Sequence, residues 1–122
     1  MKGWYYNPHS GGQKISPAVR SKTEAIALAY SKTRPWYPKY QLRLRFCGQF
    51  CYLDGSEGGG KAFPLGRLRY FSENKWSLAF YTYSNERYEP CIFPTGEWCG
   101  TIEDAIRICE IYTVRGHNLG KS

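Results

Sequence analysis

The chain has 122 residues, 42% of them hydrophobic and 17% aromatic, and a formal net charge of +7 at pH 7. This composition excludes a globally disordered chain, and the length fits one domain with its own core. The apolar runs are too short for a transmembrane helix, and the first residues lack the apolar segment of a signal peptide. We therefore expect a cytoplasmic protein that does not associate with membranes.

The positive charge is concentrated in the first part of the chain. Residues 1–53 contain nine Lys or Arg and one acid, Glu24, whereas residues 54–122 contain eight basic and nine acidic residues. Such asymmetry favours a polyanionic partner such as nucleic acid. The alternative is a set of basic residues that are simply solvated, and charge alone does not separate the two.

The N-terminal part predicts an arm followed by a helix. Residues 1–15 join an aromatic cluster, WYY, to a run of turn formers, NPHSGG, and predict an ordered aromatic arm. Ser16 before Pro17 indicates an N-cap with proline in the first helical position, and the following residues favour helix to about residue 32. Prolines at positions 35 and 38 end that helix.

From residue 40 the apolar period changes to two, which indicates a β-hairpin. In QLRLRFCGQFCYLDG, apolar residues alternate with arginines, and Gly48-Gln49 suits a two-residue turn with positive φ at the glycine. This register pairs Leu44 with Leu53 on a core face. It pairs Arg45 with Tyr52 on a face that we expect to be partly exposed.

The rest of the chain completes an α+β domain. Residues 65–71 and 76–83 predict two strands, residues 88–93 an extended piece, and Thr101 with Asp104 a capping box for a helix to about residue 112. We predict one α+β domain over residues 16–113, with a single antiparallel sheet of about four strands packed by two helices, and a flexible tail over residues 114–122.

Two stretches resemble phosphate-binding loops but lack essential parts. In GSEGGGKA at 55–62, alanine replaces the hydroxyl residue that ligates magnesium, and the following proline and strand leave no helix N-terminus. In GHNLGKS at 116–122 the glycines are one residue too close together. We predict no nucleotide cofactor.

The cysteines and histidines indicate neither a metal site nor a catalytic one. The five cysteines are odd in number and irregularly spaced, and we expect reduced thiols: Cys47, Cys51, Cys91, Cys99 and Cys109. The hairpin register places the first two on opposite faces, so they cannot share a tetrahedral metal, and we predict no metal. The two histidines, His9 and His117, lie in the arm and the tail. An enzyme with an unfamiliar site stays open but has no support.

A group of basic and aromatic residues forms the candidate site. Arginines alternate on two strands, and the aromatic residues Phe50, Tyr52, Phe71, Tyr81 and Tyr83 share their side if consecutive strands pair as hairpins. Such a face can contact phosphates and stack on bases. The predicted polyanion-binding residues are Lys39, Arg43, Arg45, Tyr52, Arg67 and Arg69. Alternatively a helix or the N-terminal arm covers this face, and its arginines pair with Glu24, Glu86 or Glu89.

Three stretches resemble a family of uncharacterised bacterial proteins: WYYNPHSGG at 4–12, RFCGQFCYLDG at 45–55 and YTYSNERYEPC at 81–91. The family pattern includes WYYxPHSGG, FxGQFCY and YTYSNERYEP, so the resemblance covers most of the chain. The loop GSEGGGK is shorter here than in that pattern. The resemblance implies a shared fold and a bacterial or bacteriophage setting, and it supplies no activity.

Two functions follow as hypotheses. The first is weak nucleic-acid binding by a monomer through the basic and aromatic surface. The second is a protein interaction module that uses exposed aromatic residues such as Trp36, Tyr37 and Trp98.

Overall fold

The structure, a computed structural model, describes residues 11–110. The first ten residues of the predicted arm, the last residues of the predicted second helix and the predicted tail lie outside this range. The elements in chain order are helix α1 (Pro17–Ser31), strands β1 (Tyr40–Cys47), β2 (Phe50–Glu57), β3 (Phe63–Ser72), β4 (Lys75–Thr82), β5 (Arg87–Cys91) and β6 (Cys99–Gly100), and helix α2 over residues 102–110.

The strands form one antiparallel sheet in the order β1-β2-β3-β4-β5, and β6 pairs with the beginning of β4. The predicted α+β class, antiparallel sheet and two helices are confirmed. The predicted strand number of about four is low, because residues 87–91, expected only as an extended piece, pair with β4 along five residues. The two-residue strand β6 is too short to give a periodic sequence signal.

Both helices pack against the same face of the sheet, where the hydrophobic core lies. Leu53, Leu68 and Leu78 are at most 2% exposed and come from three neighbouring strands. In α2 the predicted inward residues are all buried: Ile102, Ala105, Ile106 and Cys109. Because both described helices lie on this side, the side chains that alternate with the core residues point to the other face.

The first hairpin has the register that the sequence predicts. Leu44 pairs with Leu53, Arg45 pairs with Tyr52, and Gly48 begins the turn with a φ of 60°. As expected from this register, Cys47 is exposed and Cys51 is fully buried, on opposite faces. A single tetrahedral metal therefore cannot bind both of these thiols.

Helix α1 begins as predicted, at a serine cap followed by proline. The Ser16 hydroxyl accepts a hydrogen bond from the backbone N–H of Val19 at 3.2 Å, and Pro17 occupies the first turn. We expect Ser16→Ala to lower the free energy of unfolding by about 0.5–2 kcal/mol in urea denaturation, because an N–H donor loses its acceptor. Ser21→Ala, an exposed change inside the same helix, is the control and should be neutral or slightly stabilising.

The glycine-rich loop after β2 leads into a strand, as the sequence predicts. Strand β2 continues to Glu57, so Gly55 belongs to the sheet, and β3 begins at Phe63. A Cβ at Gly55 would lie 2.8 Å from the Phe63 ring. This glycine therefore permits close packing within the hairpin, and no helix follows the loop to present its N-terminus to a phosphate.

Among residues 11–110, no helix combines the length and the apolar character needed to cross a lipid bilayer.

Candidate polyanion-binding surface

The sheet face opposite the helices carries arginines and aromatic rings from strands β1 to β5 and from the residue after β4. The register places Arg45 beside Tyr52, Tyr52 beside Arg67, and Arg67 beside Ala79. We call this surface the arginine–aromatic face; it consists of Arg43, Arg45, Phe50, Tyr52, Asp54, Arg67, Arg69, Tyr81, Tyr83 and Tyr88. The sequence-based grouping of arginines with aromatic residues on one side of the sheet is thus correct for Phe50, Tyr52, Tyr81 and Tyr83.

At the β1 side of the face, Arg45 contacts both an aromatic ring and a buried acid. Its guanidinium carbon lies 4.7 Å from the centre of the Tyr52 ring, and its Nε donates to Asp54 Oδ2 at 2.7 Å. The Asp54 side chain is 8% exposed and that of Arg45 is 59% exposed. The hydrogen bond to the carboxylate raises the pKa of Arg45. One edge of this guanidinium is therefore held by Asp54 while most of the side chain stays accessible.

Arg67, in the middle of the face, lies between two rings. Its guanidinium carbon is 4.8 Å from the centre of Phe50 and 5.4 Å from that of Tyr88. The side chain is partly buried. Within residues 11–110 Arg67 makes neither an ion pair nor a side-chain hydrogen bond, and the two rings give it cation–π contacts. A guanidinium has five N–H donors, and those of Arg67 can donate hydrogen bonds to an external anion.

The aromatic rings form a continuous row across the face. The ring centres lie 5.7 Å apart for Tyr52 and Tyr88, 5.2 Å for Tyr81 and Tyr88, and 4.9 Å for Tyr81 and Tyr83, in edge-to-face arrangements. The Tyr83 hydroxyl donates to the Pro64 carbonyl at 2.8 Å. Burial raises the pKa of Tyr88, and the nearby Asp54 carboxylate adds to this effect. The row is thus a packed platform, because each ring supports its neighbour.

Arg69 belongs to the same face but is covered. It is 8% exposed, and its Nη1 donates to the carbonyl of Gly11 at 2.8 Å. The segment containing Gly11 also places Gly12 against the Arg69 side chain, and Gln13 donates to the carbonyl of Tyr70. The alternative expectation that the N-terminal arm covers the face is correct at this corner. Arg69 is therefore fixed by the arm, and it does not present its guanidinium as Arg45 does.

Lys39 does not join the other predicted residues. It precedes β1, about 20 Å from Arg45 along the strand at the usual rise per residue. Its Nζ lies 3.9 Å from Glu57 and 5.6 Å from the Tyr40 ring. Arg43 lies closer to the cluster, opposite Asp54 in the register, and its side chain is exposed. Among residues 11–110 it has no ion-pair partner.

The acid on this face is not one of those expected from the sequence. Glu24 pairs with Arg20 on α1, and Glu89 pairs with Arg87. The partner of Arg45 is instead Asp54, to which we assigned no role from the sequence. Extending the hairpin register by two residues places Asp54 opposite Arg43 and diagonal to Arg45, within the usual range of cross-strand contacts. The contact between Arg45 and Asp54 could therefore have been predicted from the sequence.

Tyr88 was also missed as a residue of the face. The extended piece 88–93 gave no partner strand, and only the pairing of Tyr88 with Tyr81 assigns it to this side. Ala79 of β4 has a small side chain, and the Tyr88 ring centre lies 5.7 Å from that of Tyr52.

One of the aromatic residues proposed for protein contacts is not on the surface. Trp36 is 6% exposed and belongs to the core cluster, so the expectation that it is exposed is wrong. Tyr37 and Trp98 are each partly exposed.

A comparison of the chain with protein-family models, curated proteins and solved structures found no match. The resemblance to the uncharacterised bacterial family stays a prediction.

Proposed function

We propose that the arginine–aromatic face binds single-stranded nucleic acid, weakly and with little sequence preference. The observation that carries this proposal is Arg67, a partly buried guanidinium held between Phe50 and Tyr88 with no acidic partner among residues 11–110. Partial burial of a charge is unfavourable unless it is compensated, and a phosphate oxygen would compensate it.

The neighbouring residues supply what a single strand needs. Arg43 and Arg45 add positive charge on β1, and Arg45 presents a planar group on the Tyr52 ring. Bases stack on aromatic rings and on guanidinium planes, whereas phosphates attract arginine without regard to sequence. The buried Asp54 offsets one positive charge, which limits the affinity. A cytoplasmic location, where thiols stay reduced, belongs to the same proposal and accords with five free cysteines.

The test is fluorescence anisotropy of a labelled oligonucleotide at increasing salt concentrations. Three phosphate contacts release about two counterions from a single strand, so tripling the salt should weaken binding about tenfold. Arg43→Ala combined with Arg67→Ala should reduce the slope of log K against log salt by about 1.4, because two contacts are lost.

The matched control is Arg107→Ala, which removes an exposed arginine on α2, a helix on the opposite face. This variant should keep the wild-type slope. Absence of binding at low salt would refute the proposal, as would a double variant with the slope of the control.

A further inference from the structure

The two edges of the sheet differ in how well they are protected. Strand β5 has five residues and includes Pro90, which has no N–H and discourages pairing. Strand β1 has eight residues and no proline, and within residues 11–110 it pairs only with β2. It is therefore the edge at which an added strand would meet the fewest obstacles.

The register shows which backbone groups of β1 point away from the sheet. The N–H of Gly58 donates to the carbonyl of Lys39 at 3.0 Å, and the two residues continue the β1–β2 register. In an antiparallel pair, hydrogen-bonded positions recur at every second residue. Arg43 and Arg45 therefore bond to β2, while the N–H and C=O groups of Leu42, Leu44 and Phe46 point to the outer edge.

A groove of about 220 Å³ lies beside this edge, between β1 and α1. Its lining includes the side chains of Leu42 and Leu44 from the strand and Leu28 from the helix. Leu28 is 50% exposed, one of the large apolar residues most accessible among residues 11–110. A strand added to β1 would place alternate side chains in this groove and the others beside Arg43 and Arg45.

The charge of β1 indicates which kind of segment can pair with its outer edge. A second copy that paired antiparallel through the middle of β1, centred on Arg43 or Leu44 with the same faces aligned, would place Arg43 opposite its own copy or opposite Arg45, and like charges in these positions are destabilising. Residues 1–10 and 111–122 of this chain contain basic residues and no acid. A segment with acids at alternate positions instead complements the two arginines.

We propose that the β1 edge binds an extended peptide of a partner protein in which acidic and apolar residues alternate. Its backbone pairs with Leu42, Leu44 and Phe46, its apolar side chains enter the groove beside Leu28, and its acids face Arg43 and Arg45. This is strand addition, in which the main chain gives affinity and the alternating side chains give specificity.

The experiment uses an end-blocked, fluorescein-labelled peptide of alternating glutamate and valine. We expect saturable binding in anisotropy, and slower hydrogen exchange by at least tenfold for the amides of Leu42, Leu44 and Phe46. Little change is expected at Arg43 and Arg45, whose amides already bond to β2. A peptide of the same composition with its glutamates and valines in separate blocks, and one of alternating lysine and valine, should bind at least tenfold more weakly.

Leu28→Asp should weaken binding of the alternating acidic peptide at least tenfold, because it places a charge in the groove that receives the peptide's apolar side chains. Ile92→Asp is the matched control, since Ile92 is equally exposed at 49% but follows β5, and it should leave binding unchanged. Circular dichroism checks that both variants are folded. Arg67→Ala should also leave peptide binding unchanged, which separates this proposal from the nucleic-acid one.

Three results would overturn the proposal: equal binding of all three peptides, binding without slower exchange at the three outward amides, or protection of these amides that rises with protein concentration alone. The last result would assign the edge to a second copy of the chain.

Discussion

The free energy of unfolding is expected to fall by roughly 5 kcal/mol between pH 8 and pH 11 through two buried thiols alone. Burial raises the pKa of Cys51 to about 12 and that of Cys109 to about 12, from an ordinary value of 9.0. Above pH 9 the unfolded chain loses these protons while the folded chain keeps them. Because the native state then binds more protons, stability is fully present below pH 9 and is lost as pH rises towards 12.

Other groups also titrate in this range, so the thiol contribution has to be isolated by substitution. Urea denaturation of the wild type and of Cys51→Ala combined with Cys109→Ala, at several pH values, gives the difference. The double variant should be less stable at pH 7 because it leaves cavities, but its stability should decline less steeply above pH 9. Cys47→Ala, at the exposed position on the other face, should keep the full decline. Parallel curves for the wild type and the double variant would show that these thiols ionise normally.

Side-chain alternation in the sequence was enough to predict the first hairpin. In residues 40–53 a period of two, one glycine and a two-residue turn fix which residues face the core, and the observed register agrees at Leu44 and Arg45. The caps of both helices were also predictable from neighbouring residues, because Ser16 and Thr101 each accept a hydrogen bond from an N–H three residues later. Short-range physics therefore determines these elements.

Features that depend on distant partners were not predictable in this way. Trp36 lies in a segment broken by prolines, whose sequence resembles an exposed loop, and only the packing of the core buries it. Arg67 and Arg69 occupy equivalent alternating positions on β3. Only Arg69 is covered, because it donates a hydrogen bond to Gly11, which lies 58 residues away in sequence. Burial of single residues on a mixed face depends on tertiary contacts, which periodicity does not encode.

Opposite changes to the pair of Arg45 and Asp54 are expected to separate stability from binding. Asp54→Asn removes the one acid of the arginine–aromatic face but keeps an oxygen that can accept from Arg45. If the face binds single strands as proposed, Arg45 becomes available to a phosphate and the salt slope should rise by about 0.7. This corresponds to binding roughly fivefold to tenfold tighter at 50 mM salt. Stability should fall modestly, because the hydrogen bond from the Arg45 cation then meets a neutral acceptor in place of a carboxylate.

Arg45→Gln should lower both properties. It leaves the carboxylate of Asp54, whose side chain is 8% exposed, without its cation, and an unsatisfied buried acceptor costs about 1–3 kcal/mol. The lower half of that range is expected, because the Arg45 side chain is 59% exposed and water screens the pair. Anisotropy and urea denaturation on the same preparations measure the two quantities. Tighter nucleic-acid binding by Asp54→Asn together with weaker binding by Arg45→Gln would locate the phosphate contacts at this pair. Equal affinity in both variants and the wild type would show that the strand does not reach β1 and that Arg45 serves only to neutralise Asp54.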